Sequence, residues 1–151
     1  MRESILACAA AKGIPVEYLT EDQDLCFGRA GLQLFAPVSE ASGNPHCVSA
    51  LVSFGKYDML VTGDMPLKEE HDLILAHGIQ DVELLIVGHH GSRNAAGEEF
   101  LAGIGAKTAA ISVGYNNYGQ PAPETLERLR AAGCETIYRT DRDGTIELRI
   151  R

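Results

Sequence analysis

The chain of 151 residues is long enough for one compact domain, and its 45% hydrophobic content is enough to fill a core. Thirteen Lys and Arg against 21 Asp and Glu leave a formal net charge of −8, which argues against a protein that holds nucleic acid by its overall field. A nuclease stays open, because bound divalent cations can supply positive charge locally.

The four cysteines, Cys8, Cys26, Cys47 and Cys134, are widely spaced and form no C-x-x-C pair. They read as small buried apolar groups and not as a zinc knuckle or a disulfide framework. No stretch reaches the ~18 to 20 continuous apolar residues of a membrane helix, and no charged-then-apolar leader opens the chain. The expectation is a soluble segment with no membrane contact of its own.

Residues 3 to 12 are alanine-rich and stop at Gly13, the pattern of a helix with a glycine end. A helix so early, with no strand before it, leads us to expect that the domain begins upstream. Pro15 to Leu19 predicts a short strand, Glu21 to Asp24 a polar turn, and Leu25–Phe27 with Leu32–Phe35 two strands across Gly28 to Gly31. Ser39 to Pro45 has the composition of an exposed loop. Cys47 to Phe54 and the strand ending at Asp64 predict a hairpin across Gly55 and Lys56.

From Pro66 the apolar period becomes helical, with proline at the first turn and Gly78 after the last. Leu84 to Val87 is a short apolar run closed by Gly88, so it predicts a buried strand. Residues 97 to 103 predict a helix, Lys107 to Val113 a strand, and Pro123 to Ala132 an amphipathic helix ended by Gly133. Thr136 to Arg139 and Gly144 to Ile150 predict strands around a turn at Asp141 to Gly144. Strands followed by strand–helix alternation predict sheets covered by helices, an α/β class. No internal repeat or low-complexity segment interrupts this order.

Two strand ends carry groups with chemistry. Met59 to Gly63 closes on Asp64, and Leu84 to Gly88 closes on His89-His90-Gly91-Ser92. Strand ends in layered α/β proteins are common ligand sites, and imidazole with carboxylate suits zinc, manganese or iron. Asp64 is equally readable as the cap of the following helix. On an extended segment neighbouring side chains point opposite ways, so one histidine of the pair would face a metal and the other would pack. Ser92 and Asn94 are readable as phosphate contacts or as helix caps. His71 and His77 read as surface or packing groups, and His46 stands in no cluster. Ser92 lacks the Gly-x-Ser-x-Gly elbow of a serine hydrolase.

The order Leu60-Val61-Thr62-Gly63-Asp64, Val87-Gly88-His89-His90-Gly91-Ser92, Ile111-Ser112-Val113-Gly114, Asn117-Tyr118-Gly119, Pro123-Glu124-Thr125-Leu126 and Tyr138-Arg139-Thr140-Asp141-Arg142-Asp143-Gly144 resembles the metallo-β-lactamase-like domain of the ComEC competence DNA-uptake proteins. Those motifs lie between about Ser49 and Arg149. The resemblance implies an αββα sandwich, here incomplete at its N-terminal side, with residues 1–151 forming the C-terminal part of the domain. It implies a metal-dependent hydrolase, a nuclease or phosphodiesterase linked to competence DNA uptake. Asp64 would bridge two ions, His89 or His90 would bind one of them, and these three residues would carry catalysis. Ser92, Asn94, Asn117 and Tyr118 would stand on the substrate side.

One or two divalent ions, zinc or manganese, belong to the complete domain. The family's His-x-Asp-x-Asp-His or His-x-His-x-Asp-His cluster is absent from this sequence, and Gln120 and Ala122 stand where similar domains carry histidines. Weak or partial metal binding and an inactive isolated chain are therefore expected. The implied setting is a soluble part of a bacterial inner-membrane protein. DNA is the implied partner of the full-length protein, and contact with the missing N-terminal part or self-association is expected of this chain. The alternatives are a non-catalytic remnant used for assembly and a small-molecule phosphoesterase.

Overall fold

Seven strands form a single mixed sheet in the order in which the chain visits them, and each joins it for a local reason. The structure is a computed structural model that describes residues 2–37 and 47–150. The predicted loop from Ser39 to Pro45, together with His46, lies outside the described residues.

Helix α1 (Arg2–Ala11) ends as expected at Gly13, whose φ of 63° lies in the left-handed region. Strands β1 (Gln23–Phe27) and β2 (Ala30–Phe35) form a tight antiparallel pair, with Phe27 opposite Ala30. Strand β3 (Ser49–Phe54) pairs antiparallel with β2 and with β4 (Tyr57–Val61), so the predicted hairpin is present, turning at Gly55. The remaining neighbours are parallel: β4 with β5 (Leu84–Ile86), β5 with β6 (Thr108–Ile111), and β6 with β7 (Thr136–Arg139). Parallel pairing needs crossovers, and these are supplied by α2 (Leu67–His77), α3 (Glu98–Ile104) and α4 (Pro123–Ala131).

Register puts one row of apolar residues on one face: Leu51, Leu60, Leu85, Ala109 and Ile137 lie side by side across five strands. The helices press Leu73, Ile74, Phe100, Leu101, Ile104 and Leu129 onto that row, forming the core. Because side chains alternate along a strand, the next residues (Val52, Met59, Leu84, Val61, Ile86) face the other way. On that second face a groove of about 700 Å³ is bounded by Met59, Leu84, Ile86 and Ala110 on one side and Ile146 and Leu148 on the other. One helical layer on one sheet face is half of an αββα sandwich. No second sheet is present among the described residues.

Several expectations are corrected. Pro15 to Leu19 forms no strand, and Gln23 and Asp24 of the expected turn are the start of β1. Gly144 to Ile150 forms no strand either, and the expected turn before it is a single helical turn, α5 (Thr140–Asp143). Alternating apolar residues permit a strand, but only pairing makes one, and neither segment pairs with the free edges that β1 and β7 offer among the described residues. Cys8 and Cys26 are exposed, Cys47 is half-buried and Cys134 is buried. The first lies on α1 and the second on β1, an edge strand of the sheet among the described residues.

Candidate functional site at the strand tips

Strands β4, β5 and β6 run parallel, so their C-terminal ends open on the same edge of the sheet. Asp64 follows β4 there, in a turn for which Gly63 adopts a φ of 64°. The histidines follow β5 in a 3-10 turn over Gly88–Gly91. The two tips touch: the His89 N–H donates to the Gly63 carbonyl at 3.0 Å. They can approach so closely because Gly88 has no side chain, since a Cβ there would lie 2.6 Å from the Gly63 oxygen. Asp64 is exposed, His89 half-buried and His90 exposed.

The expectation that the histidines sit on extended backbone is corrected. Both are left-handed, His89 at φ 48°, ψ 39° and His90 at φ 53°, ψ 27°. Such conformations in non-glycine residues persist only when the surroundings impose them. Here the imposing contacts are visible. His90 Nδ1 lies 2.7 Å from the Ser112 carbonyl beyond β6, the Ser92 N–H returns to the His89 carbonyl at 2.9 Å, and the Ala122 N–H donates to the Gly91 carbonyl at 2.8 Å. With Nδ1 engaged, His90 has Nε2 left for any other partner.

The loop that continues from the histidines, Ser92 to Gly97, is held from beneath by two helices. Glu70 of α2 is fully buried, and its carboxylate accepts the Ala96 N–H at 3.0 Å and the Gly97 N–H at 3.1 Å. Arg128 of α4 donates to the carbonyls of Arg93, Ala95 and Ala96 at 2.8 to 2.9 Å. The Thr125 hydroxyl donates to the Ser92 carbonyl at 2.8 Å. Burial pushes the Glu70 carboxyl up to about 7, against the two backbone donors and the Arg128 charge, which favour the carboxylate.

The Asn94 N–H donates to the Ser92 hydroxyl at 3.3 Å, a local turn contact; the capping alternative is corrected, because the next helix has Gly97 at its N-cap and no side-chain cap. Asn117 and Tyr118 are exposed on the loop after β6, and Tyr118 borders a cavity with His90, across β5 from Asp64's own strand. His71 lies 3.5 Å from Glu99, and His77 lies 3.5 Å from Asp22 with its ring stacked on Phe35 at 4.3 Å. Neither reaches the strand tips.

Sequence reading passed over three residues here. Glu70 looks like one more acid on a polar helix, and Arg128 like one more surface base. Cys47 stands beside the Gly63–Asp64 turn: burial pushes its thiol up, a hydrogen bond from the Asp64 backbone opposes this, and the Asp64 charge adds to it.

Among the described residues no three His, Cys, Asp or Glu side chains come together as a metal-binding group.

No protein-family model matches the chain. The chain is 30% identical over 152 residues to ComE operon protein 3 of Bacillus subtilis (strain 168), covering 99% of this chain and 20% of that protein. It is 35% identical over 103 residues to competence protein ComA of Neisseria gonorrhoeae, covering 67% of this chain and 15% of that one. With Recombination protein 2 of Haemophilus influenzae it shares 32% over 115 residues, 74% of this chain and 14% of the relative. Among solved structures it is similar to a CmlA β-hydroxylase E377D mutant at 12% identity and a TM-score of 0.49, covering 79% of this chain and 31% of that one. The chain thus spans a fifth or less of the length of these curated relatives. Motif order and these three competence relatives agree, and the chain belongs to the ComEC family of competence proteins.

Proposed function

We propose that this chain is the C-terminal part of a divalent-metal-dependent hydrolase domain, a nuclease or phosphodiesterase, within a ComEC-type protein, and that residues 1–151 act as one unit of it. Asp64, His89 and His90 form one wall of the metal site. The observation that carries this is the hydrogen-bonded contact of the two strand tips, which sets one carboxylate and two imidazoles along one edge of the sheet. That donor chemistry suits zinc or manganese, which would supply the charge needed at a phosphodiester. The remaining ligands come from outside the described residues, so the isolated chain hydrolyses nothing.

This chain's own residues hold the wall in place. Glu70, Thr125 and Arg128 fix the loop behind the histidines, and Ser112 orients the His90 ring. Ser92, Asn94, Asn117 and Tyr118 border the side from which substrate approaches.

DNA is the substrate partner in the whole protein, a bacterial inner-membrane protein in this reading. No helix of the described residues is long and apolar enough to cross a membrane. The open sheet face meets the N-terminal part of the domain or a second copy. That face also favours a second reading, a non-catalytic assembly module, because its apolar residues need a cover whether or not chemistry occurs.

Cleavage assays with labelled single-stranded DNA and manganese or zinc separate the two. The isolated 151-residue chain is expected to be inactive. A longer protein that includes the preceding part of the domain is expected to cleave, and Asp64→Ala to reduce its rate on the order of 100-fold. Rapid metal-dependent cleavage by the isolated chain, lost in Asp64→Ala, would overturn the incomplete wall. A longer protein indifferent to Asp64→Ala would favour the assembly module.

A further inference from the structure

Tyr115 and Tyr118 are 98% and 86% exposed, on the loop that follows β6. Exposed rings usually belong to mobile segments, but this loop is closed on a single side chain. Asn116 Nδ2 donates to the Gly114 and Gln120 carbonyls at 2.9 and 2.8 Å, and Asn116 Oδ1 accepts the Tyr118 and Gln120 N–H groups at 3.0 and 3.1 Å. The amide thus makes four hydrogen bonds within one seven-residue loop. Thr140 ties the loop's base to the sheet, donating to the Val113 carbonyl at 2.7 Å and accepting the Val113 N–H at 2.8 Å.

The two rings share an open cavity of about 430 Å³ with His90, Ser112, Asn116 and Thr140. Among the described residues no Lys or Arg lines it, and the chain's net charge is −8, so a ligand here is not gripped by ion pairing. Flat aromatic faces on a fixed loop, wet and without cations, suit a ligand that stacks. Every nucleobase offers such a face, and only an unpaired one exposes it.

We propose that Tyr115 and Tyr118 form a stacking platform for the unpaired bases of a single strand, beside His90. This rests on the reading of the Asp64–His wall as a phosphodiester site: a phosphate at the wall has its neighbouring base at the tyrosines. No counterion release contributes and the acidic chain repels the strand's phosphates, so binding is expected to strengthen, not weaken, as salt rises.

Fluorescence anisotropy with a labelled oligothymidylate and an abasic strand of equal length tests this on the 151-residue chain. The titrations are run in chelator, so neither metal nor cleavage enters and the failure of the hydrolase reading would leave the result intact. The base-bearing strand is expected to bind about tenfold tighter than the abasic one. Tyr115→Ala and Tyr118→Ala are each expected to lower that preference, the double variant to abolish it, and Tyr118→Phe to retain it. Both rings are exposed, so these changes leave the fold alone. Equal affinity for the two strands, no binding of either, or an unchanged preference in the double alanine variant would overturn the platform.

Discussion

Glu70→Ala is expected to destabilise the protein by about 3 kcal/mol, because it strands two buried backbone donors, Ala96 and Gly97, and leaves a cavity beneath the histidine loop. The chain has no tryptophan, so urea unfolding is best followed by circular dichroism. Glu70→Gln keeps the shape but offers an N–H₂ where a second acceptor is needed, and a smaller loss of about 1 kcal/mol is expected at pH 7.

The same carboxyl makes stability depend on pH. Its folded value is raised to about 7 from an ordinary 4.5, so between those values the unfolded chain has released a proton that the folded chain keeps. The folded state therefore loses stability as pH rises from about 4.5 to about 7, by on the order of 3 kcal/mol, and nothing further above that. Against Glu70→Gln the wild type is expected to hold its largest advantage near pH 5 and to give most of it up by pH 7. A difference between the two proteins that is flat across this window would mean the buried carboxyl is not raised.

The second large effect is expected at Gly88. An alanine Cβ there would stand 2.6 Å from the Gly63 carbonyl oxygen and 2.8 Å from the Thr62 hydroxyl. The first is backbone and the second belongs to a fully buried residue, so neither can swing aside. Gly88→Ala must push the strand tips apart, straining the His89 to Gly63 hydrogen bond, and a loss of about 3 kcal/mol is expected. Gly114→Ala is the matched control: its added Cβ meets nothing within 4 Å, and its backbone needs no glycine. A shift within about 0.5 kcal/mol is expected there. A Gly88→Ala protein as stable as wild type would show that the tips are not in contact.

Most elements were legible because their signals are local. Proline at the start and glycine at the end frame α2, and short stretches with an apolar centre mark β6 and β7. Asp64, His89 and His90 stand out in the sequence for a similar local reason, since they directly follow apolar runs closed by Gly63 and Gly88. What escaped depends on partners far along the chain. Glu70 sits between Glu69 and His71 on a polar helix, and only its hydrogen bonds to residues 26 and 27 positions later make it an internal support. The left-handed histidines could not be foreseen, because His-His between glycines carries no marker for positive φ; contacts with Gly63 and Ser112 impose it. Pro15 to Leu19 and Gly144 to Ile150 have strand-like composition but do not pair with the sheet; Ile146 and Leu148 border the groove on its second face.

The central claim is that Asp64 and the histidines are one wall of a metal site and not a complete one. Calorimetric titration of manganese or zinc into the 151-residue chain and into Asp64→Ala tests it most directly. Weak binding by the wild type, weakened a further tenfold or more in Asp64→Ala, is the predicted result. Tight stoichiometric binding by the wild type, or binding that Asp64→Ala leaves unchanged, would contradict it.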